Sequence, residues 1–486
     1  MGLAFVPIYI QYLGIESYGL IGVFAILQAS LGLFDLGVRP ALAREMARFT
    51  AGASGEQYIW DLLRSCEVTI GALALLFASM NWVASGWLAS EWIDTQTLPH
   101  QSVSWSLALM GLATSAQFFE SLYSSTLAGL QRQVAQNAIS STVATMKGVG
   151  AIAILEWVAP TAMAFFIWQS ICAVVGLGLS AMVVYRYLPS PPAAPRFSIT
   201  CLRSVWRFAA GLFVITLLAL LLTQVDKILL SRLLTLDLFG YYTLATTVTG
   251  SLALGVTPIV AAYYPRFNQF VVIGDIESLR AAYHQSSQLV SVIVGSAASV
   301  LVVMAKPMLM AWTGSTELSE RVAPTLTVLG LGTFMNCLMW IPYQLQLAHG
   351  WTSLAIATNT IAVILLVPAL LVIVPTHGML GAAWVWVLLN AGYLVFGVQL
   401  MHRRILRSDL WTWYVKDVGV PLSAAFFATG LSSLILPTHI GRFELILMLA
   451  ATLVVSLGVS AAAAPETRRM GTRWVVRARL AISAFA

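Results

Sequence analysis

Charged residues are scarce in this sequence. They make up 9% of the 486 residues, against about 25% in an average soluble domain. Hydrophobic residues make up 59%, and the mean hydropathy is +0.84. A chain of this composition cannot cover a soluble surface, so we expect a membrane protein. At about 20 apolar residues per span, the length allows roughly 12 to 14 helices and no sizeable soluble domain.

Cysteine is also rare, and the common catalytic motifs are missing. The four cysteines are scattered without a CxxC pair, which predicts neither a disulfide framework nor a metal site. The sequence has no phosphate-binding GxxxxGK[ST] loop, no HExxH and no GxSxG. We therefore expect no catalytic residues, no metal, no bound cofactor and no enzyme activity. The net charge of +6 is typical of loops that hold a membrane protein in place, so no nucleic-acid partner is expected.

One stretch of the sequence is repeated. Residues 13–49 return in related form near residue 234, at an offset of 221 that aligns Glu16 with Asp237 and Gly19 with Gly240. Each copy has a short acidic loop, an aromatic-Gly start, one apolar span and a basic exit. Such internal duplication is typical of transporters, whose substrate site usually lies between the repeats.

The apolar runs predict an all-α polytopic membrane protein of about 14 spans. We place the spans at about 1–12, 18–40, 59–84, 104–127, 135–156, 160–187, 207–231, 239–263, 285–311, 324–348, 353–374, 378–401, 418–436 and 443–463. Either the native start lies upstream of Met1 or the first span is short. The second span is followed by a basic amphipathic segment.

The prolines near residue 190 mark the best domain boundary, because proline stops helices and favours an extended linker. We expect an N-terminal lobe (1–188), a cytoplasmic linker (189–206), a C-terminal lobe (207–401), two further spans (402–463) and a basic cytoplasmic tail (464–486).

The basic residues predict the orientation. Arg232, Lys306, Arg321 and Arg442 lie in loops on one side of the predicted spans, whereas about twenty of the 26 basic residues lie on the other side. Because cytoplasmic loops carry the excess of Lys and Arg, we expect the richer side, with both chain ends, to be cytoplasmic.

Charges inside apolar spans are candidate functional residues, since each costs roughly 2.5 to 3.5 kcal/mol at the bilayer centre if it is unpaired. Lys147 lies about ten residues into the fifth span, roughly 15 Å deep at 1.5 Å per residue. Its ammonium group could attract a diphosphate as a point charge, or it could pair structurally with Glu120. Glu120 could instead titrate in a proton pathway.

Two further pairs of charges lie in spans. Asp226 and Lys227 are neighbours in the seventh span. Because adjacent residues do not share a face of a helix, we expect at most one of them to point straight into a central cavity. Asp35 and Arg39 lie one turn apart near the end of the second span, which favours a structural ion pair.

Several motifs resemble a known family. The Glu16-x-Tyr18-Gly19 start, the Asp35-Leu36-Gly37 turn, LAGLQRQVAQN at 127–137 and HGMLGAAWVWVL at 377–388 are similar to polysaccharide-repeat flippases of the Wzx type. These belong to the multidrug/oligosaccharidyl-lipid/polysaccharide exporter superfamily. The resemblance implies two pseudo-symmetric six-helix lobes around a central cavity, plus two C-terminal helices.

The resemblance also implies a function. The substrate would be an undecaprenyl-diphosphate-linked oligosaccharide, moved from the cytoplasmic to the periplasmic leaflet of the bacterial inner membrane by alternating access. The transported oligosaccharide would supply O-antigen, capsule or exopolysaccharide synthesis. A polysaccharide polymerase and a chain-length regulator would be the partners, and a H⁺ or Na⁺ gradient would be the energy source. On this interpretation the cavity cations are Lys147, Lys227 and Arg39, while Asp35, Glu120 and Asp226 serve ion coupling or charge pairing.

Three other functions are considered. A lipid II flippase would share the architecture. A multidrug/cation antiporter of the same superfamily would more often have twelve spans and an anionic cavity. An integral-membrane polymerase or glycosyltransferase would carry a large periplasmic loop or a cytoplasmic domain, and the longest outer loop, at about 85–103, is too short for either.

Overall fold

The computed structural model describes residues 2–34, 38–437 and 440–469, and these are almost entirely helical. The helices are α1 Gly2–Phe34, α2 Val38–Thr50, α3 Glu56–Trp87, α4 His100–Gly129, α5 Gln133–Trp157, α6 Ala162–Tyr187, α7 Ile199–Leu233, α8 Leu236–Gly250, α9 Ala253–Ile273, α10 Ile276–Val303, α11 Ala305–Thr313, α12 Thr316–Ala348, α13 Thr352–Gly392, α14 Val398–Arg404, α15 Leu410–Thr412, α16 Val420–Leu434 and α17 Arg442–Ala463. Short π-helical turns occur at Leu88–Trp92, Tyr393–Gly397 and Trp413–Gly419.

The helices confirm the predicted fold class. Within the described residues, ten helical segments are long and apolar enough to cross a membrane. Two of them, Leu3–Leu31 and Thr352–Arg404, each overlap two predicted spans. α4 and α7 lie where the fourth and seventh spans are predicted. The chain is therefore an all-helical, multi-pass membrane protein of about 14 spans.

Glycine breaks the two doubled segments at the predicted places. Gly14 in α1 has φ 77° and Gly378 in α13 has φ 57°, both in the left-handed region. Residues with a side chain rarely adopt this conformation, whereas glycine does so at little cost. Gly14 lies between the first and second predicted spans, and Gly378 begins the twelfth.

The described residues fall into two compact units, Met1–Gly240 and Tyr241–Ala486. The division lies within α8, whereas the proline-rich linker at 189–206 lies inside the first unit. The division into lobes at that linker stays a prediction.

The linker is docked along α3. The indole of Trp60 donates to the Pro189 carbonyl at 2.9 Å, and the Gln57 side chain accepts from the Ala193 N–H at 2.9 Å. Further along α3, Asp61 accepts from the Arg196 N–H at 2.8 Å and Ser65 accepts from the Ser198 N–H at 2.8 Å. Since these side chains recur every one to four residues along α3, one face of the helix holds residues 189–198 of the linker.

The repeated glycines make reciprocal close contacts inside the first unit. A Cβ atom at Gly19 would lie 2.4 Å from the Leu236 carbonyl oxygen, and one at Gly240 would lie 2.4 Å from the Ile15 carbonyl oxygen. The offset of 221 that aligns the two glycines also aligns Ile15 with Leu236. Close backbone approach of this kind requires residues without a side chain. The sequence repeat is thus matched by a symmetric pair of contacts.

Candidate functional site

The first unit contains a cavity of about 470 Å³. It lies between α1, α2, α4, α5 and α6, and its polar and charged lining residues are Gln28, Arg39, Gln117, Glu120, Ser121, Ser140 and Lys147. Apolar residues of the same helices complete the wall. Ligand sites in proteins usually have volumes of about 300 to 1,000 Å³ and combine an apolar wall with a few polar groups, so this cavity has the size and composition of a binding site.

Lys147 contributes the ammonium group from past the middle of α5. The neighbouring glycines let other helices approach: a Cβ at Gly148 would lie 2.2 Å from the Phe5 ring, and one at Gly150 would lie 2.2 Å from the Trp168 ring. The Trp168 indole also donates to the Met146 carbonyl at 3.0 Å. This close packing holds the backbone around Lys147 in place. The two glycines therefore serve close helix packing beside Lys147.

Glu120 on α4 faces the same cavity. It is half-buried, and its Oε1 accepts a hydrogen bond from the Ser180 hydroxyl at 2.8 Å. Glu120 and Lys147 interact electrostatically, but they are more than 4 Å apart and form no direct ion pair. The two described side chains make no direct contact, and the structural Glu120–Lys147 pairing considered from the sequence stays a prediction.

Arg39 brings a second cation to the cavity from the first turn of α2. α2 is amphipathic as predicted: Leu42 and Met46 are fully buried, whereas Arg44 and Arg48 are exposed. Asp35, the expected partner of Arg39, lies outside the described residues.

Asp226 and Lys227 do not line this cavity. Their side chains are 3.7 Å apart (Nζ to Oδ1), and the Lys227 ammonium donates to the Thr223 carbonyl of its own helix at 2.5 Å. Their expected roles in substrate binding or ion coupling stay predictions.

The sequence did not single out two amide side chains of the cavity. Gln28 donates from Nε2 to Oε1 of Gln117 at 2.7 Å. The Nε2 group of Gln117 is buried and has no hydrogen-bond partner among the described residues. An unpartnered buried donor in a native structure needs an explanation, such as a bound ligand or water. The only sequence signal was the presence of uncharged polar residues inside predicted spans.

Another carboxylate of the first unit, Glu67, is buried outside the cavity. Glu67 on α3 accepts hydrogen bonds from the hydroxyls of Tyr123 at 3.0 Å and Tyr185 at 2.6 Å, and Arg64 lies 3.3 Å from its other oxygen. Glu67 is only 5% exposed. Because both of its oxygens are satisfied, it acts as a structural crosslink between α3, α4 and α6.

The second unit has its own buried polar network. Asp417 is 1% exposed and accepts from the His284 ring and from Gln288 at 2.9 Å. Arg280 donates to Asp409 at 2.8 Å, and Asp409 also lies 3.9 Å from His284. These contacts join α10 to the segment before α16. Among the described residues, no group of three His, Cys, Asp or Glu side chains could hold a metal ion.

The cavity can bind an anion that also carries polar groups. Among the lining residues that the structure describes, Lys147 and Arg39 outnumber the one carboxylate, Glu120, so the charges of these residues sum to a positive value. Phosphate and carboxylate are the anions that Arg and Lys bind best in proteins.

The fold and the site define an all-helical, multi-pass membrane protein with a cationic internal cavity. Residues 1–271 match the family model described as "Polysaccharide biosynthesis protein", and this chain belongs to that family. The resemblance to polysaccharide flippases drawn from the sequence is thereby confirmed at the level of the family. No curated protein matches the sequence.

Solved structures of transporters share the fold. The chain is similar to an inward-facing multidrug resistance MATE family transporter of the MOP superfamily, with 14% identity, a TM-score of 0.66, and coverage of 85% of this chain and 94% of that one. It is also similar to the lipid II flippase MurJ in an inward closed conformation, with 10% identity, a TM-score of 0.64, and coverage of 92% and 96%. A MOP superfamily transporter from Pyrococcus furiosus matches with 14% identity, a TM-score of 0.52, and coverage of 83% and 91%.

Proposed function

We propose that this protein flips undecaprenyl-diphosphate-linked oligosaccharide repeat units from the cytoplasmic to the periplasmic leaflet of the bacterial inner membrane. The observation that carries the proposal is the cavity with Lys147 and Arg39, in a chain of the polysaccharide biosynthesis family. The product would supply O-antigen, capsule or exopolysaccharide synthesis.

Such a lipid needs a protein to cross the bilayer. A diphosphate-sugar headgroup cannot enter hydrocarbon alone, because its charges and hydroxyls would lose their hydration. A cationic cavity can replace that hydration while the lipid tail stays in the bilayer. Lys147 would attract the diphosphate as a point charge, and Arg39 would add planar, bidentate hydrogen bonds. Lys227 is a further cation for the same headgroup at another stage of transport.

Transport would proceed by alternating access, with both chain ends in the cytoplasm and a H⁺ or Na⁺ gradient as the energy source. A polysaccharide polymerase and a chain-length regulator would receive the flipped unit. Asp35, Glu120 and Asp226 are the candidates for ion coupling or charge pairing.

The test is leaflet-resolved analysis of lipid-linked sugars in cells depleted of the protein and complemented with variants. Depletion should leave the intermediates on the cytoplasmic side. Lys147→Ala should lower flipping about tenfold or more, the loss of one charge-assisted contact, with no loss of folded protein. Lys306→Ala is the matched control, since Lys306 forms an exposed ion pair with Glu320 on the second unit.

Other outcomes would assign other functions. Accumulation of lipid II in place of oligosaccharide lipids would identify a lipid II flippase. A rise in drug sensitivity with no accumulated lipid would identify a multidrug/cation antiporter. Equal loss of flipping and of folded protein in Lys147→Ala would show that Lys147 is structural.

A further inference from the structure

The cavity holds a carboxylate beside its cations, which a diphosphate alone does not explain. The oxygens of a diphosphate only accept hydrogen bonds, so they suit Lys147 and Arg39 but are repelled by Glu120. Oε1 of Glu120 accepts from Ser180, while Oε2 makes no hydrogen bond within the described part of the chain. A ligand that suits the whole cavity must therefore also bring hydrogen-bond donors.

Glu120 interacts electrostatically with Lys147 and Arg39 across the cavity, but a direct ion pair does not account for its position. Among the described residues, no Lys or Arg nitrogen lies within 4 Å of its carboxylate. The ion pairs of this chain, such as Arg64 with Glu67 at 3.3 Å, show the shorter separation of charges that neutralise each other directly. Glu120 is instead held by an uncharged serine, which leaves one oxygen available to a ligand.

The two amides extend the same polar surface. The Gln28–Gln117 hydrogen bond occupies one donor and one acceptor, and it leaves the buried Nε2 of Gln117 as a donor without a partner. A hydroxyl group both donates and accepts, so it can bind to this donor and to the free oxygen of Glu120. Sugars present several hydroxyls at fixed spacing, directly beside the phosphate to which the sugar is attached.

We propose that Glu120, Gln117 and Gln28 bind the first sugar of the substrate through its hydroxyl or amide N–H groups. The cavity then selects a sugar-bearing diphosphate lipid over the bare diphosphate lipid. This inference rests on the proposed flippase function, and it separates the cavity into a part that binds the diphosphate and a part that binds the sugar.

The experiment measures equilibrium binding of two lipids to the full-length protein in lipid nanodiscs. The lipids are polyprenyl diphosphate and the same lipid carrying one sugar, tested in parallel as a hexose and as an N-acetylhexosamine. The wild-type protein should bind a sugar-bearing lipid more tightly than the bare lipid.

The variants separate the two parts of the site. Glu120→Gln should weaken binding of the sugar-bearing lipid roughly tenfold to a hundredfold, the range for one hydrogen bond to a charged group. It should tighten binding of the bare lipid, because a like charge is removed. Lys147→Ala should weaken binding of both lipids. Glu45→Gln, which changes an α2 carboxylate paired with Arg48, is the matched control and should change neither.

Gln117→Leu tests the same inference without a change of charge, and it should weaken only the sugar-bearing lipid. Two results would overturn the inference and leave the flippase function standing: equal affinity of the wild-type protein for both lipids, or equal weakening of both lipids by Glu120→Gln. If the wild-type protein binds neither lipid, the proposed function itself is wrong.

Discussion

The reciprocal glycine contacts give the sharpest prediction about stability. Gly19→Ala and Gly240→Ala each place a methyl group about 2.4 Å from a backbone carbonyl oxygen. Even close carbon–oxygen contacts in proteins are about 3.3 to 3.6 Å, so each backbone must move by about 1 Å. A backbone carbonyl has no other rotamer to adopt, and overpacking of this kind costs about 1 to 3 kcal/mol.

Gly178→Ala on α6 is the matched control, because nothing lies within 4 Å of a Cβ at that position. Alanine there should stabilise the helix by roughly 0.5 to 1 kcal/mol. The two contact variants should therefore melt below the wild-type protein and the control above it. The double variant should lose less than the sum of the two single changes, since both open the same contact.

The assay is thermal denaturation of the purified protein in detergent at one heating rate, followed by intrinsic tryptophan fluorescence. A fixed heating rate is needed because large proteins often unfold irreversibly. If Gly19→Ala and Gly240→Ala have the same melting temperature as Gly178→Ala, the helices can move apart without loss of stability. That result would refute the argument from close approach.

Two other contacts give separate predictions. Ser65→Ala removes the hydrogen-bond partner of the Ser198 N–H, so proteases should cleave residues 189–198 faster than in the wild-type protein. Thr69→Val is the control, because the Thr69 hydroxyl bonds within its own helix. Equal cleavage of the two variants would show that other contacts hold the linker. Asp417→Ala leaves the buried Gln288 amide and the half-buried His284 ring without their acceptor and should cost about 3 kcal/mol in the free energy of unfolding. The exposed Lys416→Ala should change that free energy by less than about 0.5 kcal/mol. Equal melting temperatures of the two variants would show that Asp417 does not stabilise the second unit.

Most of the fold could be predicted from the sequence, because a membrane span has a long apolar signal of known length. The break at Gly378 followed from the same length limit, since the 41 residues of α13 are too long for one span. The break at Gly14 followed from the acidic loop that begins the repeated stretch. Lys147 was found for an energetic reason, the cost of a charge inside the bilayer.

The partners of these residues could not be predicted in the same way. Gln28 and Gln117 are uncharged, so they cost less in a span and give a weaker signal, and their contact depends on how α1 packs against α4. Glu67 and Asp417 each accept hydrogen bonds from residues more than fifty positions away. Such pairs are set by tertiary packing, which hydropathy does not report.

The linker and the helix that holds it should differ in how freely their sequences vary. Its hydrogen bonds to α3 use the backbone groups of Pro189, Ala193, Arg196 and Ser198, never their side chains. Substitutions in the linker that keep its extended backbone should therefore be nearly neutral, whereas the polar face of α3 should be under selection. Among orthologues, we expect the linker to drift in sequence at almost constant length, while α3 keeps the polar side chains that hold it.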